Sequence, residues 1–393
     1  ARRIFPALFA VLVCTLIGSY VLLLPSDFNN TLRGGLGTLF FISNIVFWKD
    51  LAEGYFAAMS AELNPLVHTW SLAVEEQFYV LFPILLIVLY KIKPQRIALI
   101  LAGFFIITLV GTELFVRSKS VTVFFLSPFR AWELLAGGLL VFNLIPPLHS
   151  RALREFIAGI GLLAIVTSCF YYSESTIFPG LTALLPVLGS AAIIHAGASG
   201  TSLVTRMLQV RPVVYVGLIS YSLYLWHWPL IVLSHYTFPM LPLTAYSIIA
   251  LFVTSLLLAS ISYHFIEQPF RGKVRFTRLF VFSSSAVIVS ILSVFCIFGI
   301  LNNGYENRFS ANVVKLDKAR AHELIYKKCD NRPLSKTWCT IGSSTSPKET
   351  LLIGDSHLMF WATVFDKVLQ QRGEQAILAM LSNCPPIIGV LKW

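Results

Sequence analysis

The sequence is dominated by long apolar runs separated by short polar connections, a pattern typical of multi-pass membrane proteins. Hydrophobic residues make up 56% of the chain, and charged residues only 12%. A helix needs about 20 apolar residues to cross a bilayer. Nine crossings are predicted: Ile4–Leu24, Leu66–Tyr90, Ile97–Val116, Phe129–Asn143, Phe156–Tyr172, Leu181–His195, Val213–Ser234, Tyr246–Phe265 and Leu279–Leu301. Residues 1–301 are therefore predicted to form a polytopic α-helical membrane domain.

The basic residues indicate which connections face the cytoplasm. They cluster in every second connection, at Lys91/Lys93/Arg96, Arg151/Arg154, Arg206/Arg211 and Arg271/Lys273/Arg275/Arg278. Because cytoplasmic loops carry an excess of Lys and Arg, this alternation predicts an extracytoplasmic C-terminal tail. It also accounts for the net charge of +11 without a nucleic-acid partner.

A further apolar stretch, Leu36–Trp48, would break this alternation if it crossed the bilayer. It is short for a crossing and follows a glycine-rich segment. It is therefore predicted to be a re-entrant or interfacial helix on the outer side.

The composition becomes polar after residue 301. Residues 302–345 are predicted to be a connector, with a helix-like segment at Lys315–Lys328. Residues 346–393 show a strand at Thr350–Ile353, a Gly-Asp-Ser-His turn, an amphipathic helix and a second strand at Ala376–Leu381. This order predicts the start of an α/β domain.

Three of the six cysteines lie in this tail. Outside the cytoplasm they would allow one disulfide bond and leave one thiol. The short loop between Cys329 and Cys339 makes that pair the preferred one, with Cys384 left over. No metal site is predicted.

Residues 64–93 carry ionisable side chains within a segment of membrane length. An Asn-Pro pair predicts the helix start and a Lys-Ile-Lys-Pro sequence its end. Counting back from the basic end places His68 at the far interface, and Glu75 and Glu76 inside the bilayer.

The helical period then groups these side chains. His68, Ser71 and Glu75 share one face, whereas Glu76 shares another with Tyr79. Charge at that depth is costly unless it faces protein or water, so the segment predicts a functional polar pocket. A structural group bonded to a neighbouring helix is the alternative. His68 is either a proton acceptor in this pocket or an interfacial histidine with a single hydrogen bond.

Three other segments add polar or aromatic groups to the apolar runs. Tyr224 and His227 lie in an aromatic segment that is either an interfacial belt or a sugar-facing stack. Arg130 and Glu133 lie one turn apart and are predicted to form a buried ion pair. Arg2 and Arg3 lie at the N-terminus. Their charges either determine only the orientation of the chain in the membrane or also bind phosphate groups, with which guanidinium forms bidentate hydrogen bonds.

In the tail, an apolar strand delivers Ser356 into a tight turn that precedes a helix. Such a turn exposes the hydroxyl, and the amide groups at the helix N-terminus can stabilise an oxyanion. This pattern predicts a serine nucleophile.

Several of these segments resemble known family motifs. NPLVHTWSLAVEEQFY, SYSLYLWHWP, the FRAWE segment, HFIEQPFR and the initial RRIFPA resemble the acyltransferase-3 family of membrane proteins. LLIGDSH resembles the first block of SGNH-type acyl esterases and transferases, so the branch with an extracytoplasmic SGNH domain is indicated. The resemblance suggests a fragment lacking both ends, because the family's first-helix histidine and a later Asp-X-X-His motif are not found.

The resemblance implies a bacterial O-acyltransferase, and most directly an O-acetyltransferase, in the cytoplasmic (inner) membrane. Acyl-CoA would be the donor, and the acceptor would be sugar hydroxyls of O-antigen (lipopolysaccharide), peptidoglycan or exopolysaccharide. The implied catalytic residues are Ser356, Glu75, Glu76 and His68. Arg2 and Arg3 would bind the donor, and the substrate pocket would comprise Trp70, Ser71, Tyr224 and His227.

Two other functions remain open from the sequence. A sugar transporter would also carry charged residues in the bilayer. A glycan deacylase could act through Ser356 with water as the acceptor. The absence of matching broken-helix halves and the presence of the serine-bearing tail both favour the transferase.

Overall fold

A computed structural model of the chain describes residues 2–52, 63–92, 94–142, 144–173, 175–238, 244–271, 276–322, 339–343 and 348–380. The chain divides into two compact units, Ala1–Gly304 and Tyr305–Trp393. The first is helical and the second is mixed α/β, which confirms the predicted fold class.

The first unit contains helices of very different lengths. They are α1 (Phe5–Leu22), α2 (Pro25–Leu39), α3 (Ser43–Ala52), α4 (Thr69–Ile92), α5 (Ile97–Val116), α6 (Ser120–Phe125), α7 (Ser127–Leu139), α8 (Arg151–Tyr171), α9 (Leu181–Ser199), α10 (Leu203–Leu208), α11 (Arg211–Thr237), α12 (Ala245–Ile261), α13 (Gln268–Arg271) and α14 (Arg278–Leu301). A π-helical turn, Ser262–Glu267, joins α12 to α13. Short 3₁₀ turns occupy Pro94–Arg96 and Leu140–Phe142.

Among the described residues, eight helical segments are long and apolar enough to cross a bilayer. They are α1, α4, α5, α8, α9, α11, the continuous segment Ala245–Arg271, and α14. Each corresponds to one of the predicted crossings, which confirms a multi-pass membrane protein.

The remaining predicted crossing, Phe129–Asn143, is the short helix α7 of 13 residues followed by a 3₁₀ turn. At 1.5 Å per residue, α7 is about 20 Å long, less than the roughly 30 Å of a hydrocarbon core. The apolar run continues past the helix end, but glycines at 137 and 138 near the end of α7 and prolines at 146 and 147 beyond it disfavour further helix. Whether α7 crosses remains a prediction.

The stretch Leu36–Trp48 belongs to two short helices rather than one. α2 and α3 meet at a tight turn in which Phe41 has a left-handed backbone, with φ of 53°. A Cβ on Gly37 would lie 2.9 Å from Ser43 Cα, so only glycine permits this approach. Neither helix has the length of a crossing, and a re-entrant or interfacial position remains a prediction.

The second unit begins with a 3₁₀ turn, Glu306–Arg308, and α15 (Ala311–His322), which starts before the predicted Lys315–Lys328 helix. Its sheet contains β1 (Cys339–Gly342), β2 (Lys348–Gly354) and β3 (Gln375–Met380) in the order β1-β3-β2. β2 and β3 are parallel, and α16 (Ser356–Arg372) connects them.

This βαβ arrangement confirms the predicted strand-helix-strand order. The sequence did not indicate β1, which pairs antiparallel with β3, because its four residues lie in the polar region assigned to the connector. Cys339 is disulfide-bonded. Cys329 and Cys384 lie outside the described residues, so the preferred pairing remains a prediction.

Candidate active site in the membrane unit

The turn before α4 fixes the position of His68. The side-chain oxygen of Asn64 accepts a hydrogen bond from Leu66 N at 2.9 Å, and its carbonyl accepts one from Trp228 Nε1 at 3.0 Å. The Asn-Pro pair thus forms an Asx turn instead of the first helical turn, and α4 begins four residues later than predicted. This turn places His68 against α11.

His68, Ser71, Tyr224 and His227 form one group, which we call the histidine cluster. Ser71 Oγ lies 2.6 Å from the Tyr224 hydroxyl, which donates to the His68 carbonyl. The His68 ring centroid lies 5.3 Å from that of Tyr224 and 5.6 Å from that of His227. The structure therefore brings together four of the predicted site residues, two from each helix region.

The two imidazoles of the cluster differ in their hydrogen bonding. His227 Nδ1 lies 2.6 Å from the Tyr224 carbonyl. Since a carbonyl only accepts, Nδ1 carries a proton, and in the neutral imidazole the lone pair is then on Nε2. His68 is 6% exposed, and among the described residues its ring nitrogens interact with the Leu225 backbone but form no hydrogen bond of normal geometry.

His68 lies in the turn outside the membrane-spanning helix. Burial, and secondarily the charge of His227, lowers the pKa of His68 to about 3. The imidazole is therefore neutral at physiological pH. A general base works best with a pKa near the working pH, so the lowered pKa makes His68 a weak base.

Trp70 does not join the histidine cluster. Its ring packs against Phe124 at 4.6 Å and Phe125 at 5.2 Å, and the Arg130 guanidinium lies over it at 5.4 Å. Arg130 also forms the predicted ion pair with Glu133, at 3.1 Å. Trp70 thus contributes to the packing around Arg130, on a different side of α4 from Ser71.

The two carboxylates of α4 have different surroundings. Glu75 is exposed, whereas Glu76 is half-buried and its Oε1 has no hydrogen-bond partner among the described residues. The charges of Glu75, Glu76 and Arg3 all act on Tyr79 and on Tyr221 of α11. The carboxylates therefore share an electrostatic environment with the N-terminal arginines.

Below the histidine cluster, α11 carries a second polar group that the sequence did not indicate. The Tyr221 hydroxyl donates to the Ile4 carbonyl at 3.0 Å, and the Ser222 hydroxyl donates to the fully buried Glu267. Glu267 also binds Arg271 at 2.8 Å. The only sequence signal was the i,i+4 spacing of that acid and base in HFIEQPFR.

The N-terminal arginines lie at this same end of the unit. Arg2 Nη2 donates to the Phe276 carbonyl at 2.6 Å, so part of its guanidinium holds the connection before α14. Arg3 is exposed. Polar groups on or beside α11 thus extend from Arg2 and Glu267 to His227, an arrangement that we call the polar track.

Gln77 belongs to a third group, which the sequence also did not indicate. It donates to the Phe41 carbonyl at 2.8 Å and to Asn44 Oδ1 at 2.9 Å, and Ser127 donates to Gln77 Oε1. Asn44 donates in turn to the Phe125 carbonyl at 3.1 Å. We call these hydrogen bonds of Gln77, Asn44 and Ser127 the glutamine network. They connect α4 to α3 and to the junction of α6 with α7.

Ser356 is the first residue of α16, and one residue separates it from the end of β2. A Cβ on Gly354 would lie 2.5 Å from Leu358 Cβ, so glycine is required for this tight strand-to-helix turn. The side chains of Ser356 and His357 lie outside the part of the chain that the structure describes.

The bundle and the appended α/β unit define a multi-pass membrane protein, and the polar track is the candidate site of its helical unit. A family model described as an acyltransferase domain matches residues 1–264. A second, described as an SGNH domain fused to such domains, matches residues 327–392. The chain belongs to the acyltransferase-3 family, in the branch that carries an SGNH domain.

Curated relatives match over 69 to 76% of the chain. The O-acetyltransferase OatA of Staphylococcus aureus (strain NCTC 8325 / PS 47) is 30% identical over 69% of this chain and 46% of its own length. The putative peptidoglycan O-acetyltransferase YrhL of Bacillus subtilis (strain 168) is 29% identical over 76% of this chain and 50% of its own. The chain thus spans about half the length of these relatives. No solved structure matches it significantly.

Proposed function

We propose that the protein is a bacterial membrane O-acetyltransferase that moves an acetyl group from acetyl-CoA to a hydroxyl group of a peptidoglycan-type glycan. The observation that carries this proposal is the polar track, which links the arginine end of a family acyltransferase domain to the histidine cluster. The acceptor class is supported by the name of the B. subtilis relative.

The donor binds at the arginine end in this proposal. Arg2 and Arg3 lie where the helices begin, and guanidinium groups bind phosphate well. By the charge alternation of the connections, this end is cytoplasmic, where CoA thioesters are made.

At the other end, the histidine cluster supplies the acid–base group for removal of the acetyl group from CoA. A nucleophilic hydroxyl must lose a proton as it attacks the thioester carbonyl, and the thiolate that leaves must gain one. Nε2 of His227 is the base with an available lone pair. Tyr224 and Ser71 hold the backbone of His68 and so orient this site, while Glu75 and Glu76 stabilise or relay the proton.

Ser356 carries the acyl group in the second step. Its hydroxyl displaces the CoA thiolate from the acetyl carbonyl, so that the carbon–sulfur bond breaks, an ester forms and the hydroxyl proton ends on the CoA thiol. The glycan hydroxyl then displaces the serine oxygen, which takes up the proton that the glycan hydroxyl loses. The protein would thus lie in the bacterial cytoplasmic (inner) membrane, with the SGNH unit outside.

The test is the substitution Ser356→Ala in the full-length protein, with the acetyl content of purified peptidoglycan as the readout. Removal of one member of a serine catalytic unit lowers rates by about 10⁴ to 10⁶ in well-studied hydrolases, so acetylation should fall to background. Ser310→Ala, in the same unit, is the control. Residual acetylation above about a tenth would contradict a nucleophile. Increased acetylation would instead identify a deacylase, and an unchanged level would return the transporter as a candidate.

A further inference from the structure

The arginine end of the first unit gathers side chains from opposite ends of its sequence. Arg2 precedes α1, and its guanidinium binds the Phe276 carbonyl at 2.6 Å. The Phe276 ring stacks on Phe270, with ring centroids 4.7 Å apart and an interplanar angle of 16°. Phe270 directly precedes Arg271, the last residue of α13. These contacts bring Arg2 and Arg271 to the same region.

A π-helical turn precedes Arg271. The turn Ser262–Glu267 inserts a residue into the α12–α13 helix and so rotates the C-terminal part of this helix by about 100°. Such turns occur frequently at functional sites. Here the rotation directs Glu267 into the bundle, where it is 0% exposed.

Glu267 is buried with two partners. It accepts a hydrogen bond from Ser222 and pairs with Arg271 Nη2 at 2.8 Å. Burial of an unpaired carboxylate is strongly unfavourable, so Glu267 and Arg271 hold each other in place. The Tyr263 ring lies under the guanidinium at 5.2 Å and further restricts its orientation.

The Arg271 guanidinium retains donors that have no partner among the residues that the structure describes. Guanidinium has five N–H donors. Its Nε is buried without a hydrogen-bond partner among the described residues, while 29% of the side chain is exposed. A rigidly held, partly exposed guanidinium is well suited to bind an anion with oxygen acceptors.

We propose that Arg271, positioned by Glu267, binds a phosphate group of the acyl-CoA donor together with Arg2 and Arg3. This inference rests on the proposed function for the identity of the donor. Three guanidinium groups and one carboxylate favour a ligand with several negative charges, and CoA carries a diphosphate and a ribose phosphate. The phosphate of an anionic lipid headgroup has the same chemistry, and the experiment separates the two.

The experiment measures binding of CoA to purified full-length protein by calorimetry, in nanodiscs of phosphatidylcholine. Arg271→Lys keeps the charge and the pairing with Glu267 but loses the planar fork of donors. We expect it to weaken CoA binding about tenfold, as a lost charge-assisted hydrogen bond would. Glu267→Gln should weaken binding several-fold by releasing Arg271. Repeating the measurement with dephospho-CoA, which lacks the ribose phosphate, identifies the phosphate that Arg271 binds. If Arg271→Lys no longer weakens binding, Arg271 binds the ribose phosphate. If it still weakens binding, Arg271 binds the diphosphate.

The matched controls are Arg151→Lys and Glu155→Gln. These residues form another i,i+4 ion pair, but at 3.8 Å and with side chains 74% and 33% exposed. Both variants should bind CoA within twofold of the unsubstituted protein. The melting temperature of each variant shows that it is folded, and Arg271→Lys decides the test if Glu267→Gln does not fold.

Equal CoA affinity in Arg271→Lys and the unsubstituted protein would overturn the inference. The inference would also be wrong if phosphatidylglycerol raised the melting temperature of the unsubstituted protein but not that of Arg271→Lys, while both bound CoA equally. Arg271 would then bind a lipid headgroup. If the unsubstituted protein binds no CoA, the inference is wrong. Glycan acetylation in cells would still decide the proposed function independently.

Discussion

The histidine cluster and the glutamine network lie along the same helix, α4, but differ in how their polar atoms are satisfied. Gln77 has partners for both its amide nitrogen and its oxygen. His68, three helical turns away at most, has no well-formed hydrogen bond at either ring nitrogen among the described residues and only a weaker interaction with the Leu225 backbone. An unsatisfied buried polar group costs about 1–3 kcal/mol.

This difference separates a structural role from a functional one. A fully satisfied network stabilises the packing of three chain segments and leaves no group for a substrate. A cluster with unsatisfied nitrogens lowers stability and is retained where a substrate or water completes it. The same helix therefore both holds the fold and contributes to the proposed site.

The largest effect should come from His227→Gln. Glutamine keeps an N–H that can donate to the Tyr224 carbonyl but has no basic nitrogen. General acid–base groups contribute about 10² to 10⁴ in rate, so glycan acetylation should fall by that factor while the melting temperature is unchanged. His235→Gln, in the last turn of the same helix, is the control. Full activity in His227→Gln would remove the proposed base.

Gln77→Leu should give the opposite result. It leaves the Asn44 and Ser127 side chains without their partner, at a cost of about 1–3 kcal/mol for each group left unsatisfied. The melting temperature should fall by several degrees, with acetylation per folded molecule retained. Gln95→Leu, at an exposed position, is the control. Loss of activity without loss of stability would mean that the network is part of the site.

Tyr224→Phe should have an intermediate effect on activity. The hydroxyl bonds to both Ser71 and the His68 carbonyl, so its removal loosens the cluster without removing a base. We expect about tenfold slower acetylation, as the loss of about one hydrogen bond in the transition state would give. Tyr246→Phe is the control, because Tyr246 is 86% exposed. A loss as large as that of His227→Gln would make the Tyr224 hydroxyl a catalytic group.

The lowered pKa of His68 predicts a pH effect on stability. Below about pH 6.5 the unfolded chain binds a proton at this histidine, whereas the folded protein does not until about pH 3. Stability from this residue is therefore lost as the pH falls from 6.5 toward 3. The melting temperature of the unsubstituted protein should fall a few degrees more over this range than that of His68→Asn. Parallel curves would mean that His68 is solvated or paired.

Each half of the histidine cluster could be predicted from local spacing, whereas the meeting of the two halves depends on the contact between the α4 region and α11 and was implied only by the family resemblance. His68 with Ser71, and Tyr224 with His227, have i,i+3 spacing, which fixes a shared face once a helix is assumed. The multi-pass architecture and the βαβ order also follow from apolar periodicity. These features depend on local patterns alone.

The remaining features depend on contacts between distant segments. Nothing near Gln77 in the sequence indicates that Phe41 and Asn44 lie beside it. The π-helical turn that buries Glu267 changes the helical phase, so a regular period assigns that carboxylate to the wrong face. The Asn-Pro pair is compatible with a helix start and with a turn, and only the bond to Trp228 selects the turn.

The smallest effect is expected from Trp70→Phe, which tests a site residue that the sequence predicted and the structure places elsewhere. Trp70 packs on Phe124 and Phe125 beneath Arg130, and phenylalanine preserves a ring at that position. A cation–π contact contributes about 0.5–1 kcal/mol at exposed sites and somewhat more when desolvated, and phenylalanine retains part of it. We expect glycan acetylation within twofold of the unsubstituted protein and a melting temperature at most a few degrees lower. Trp361→Phe, an exposed tryptophan of the second unit, controls for the loss of an indole. A tenfold loss of acetylation in Trp70→Phe, with the fold intact, would extend the functional site to the Arg130 side of α4, and the division between the two faces of this helix would no longer hold.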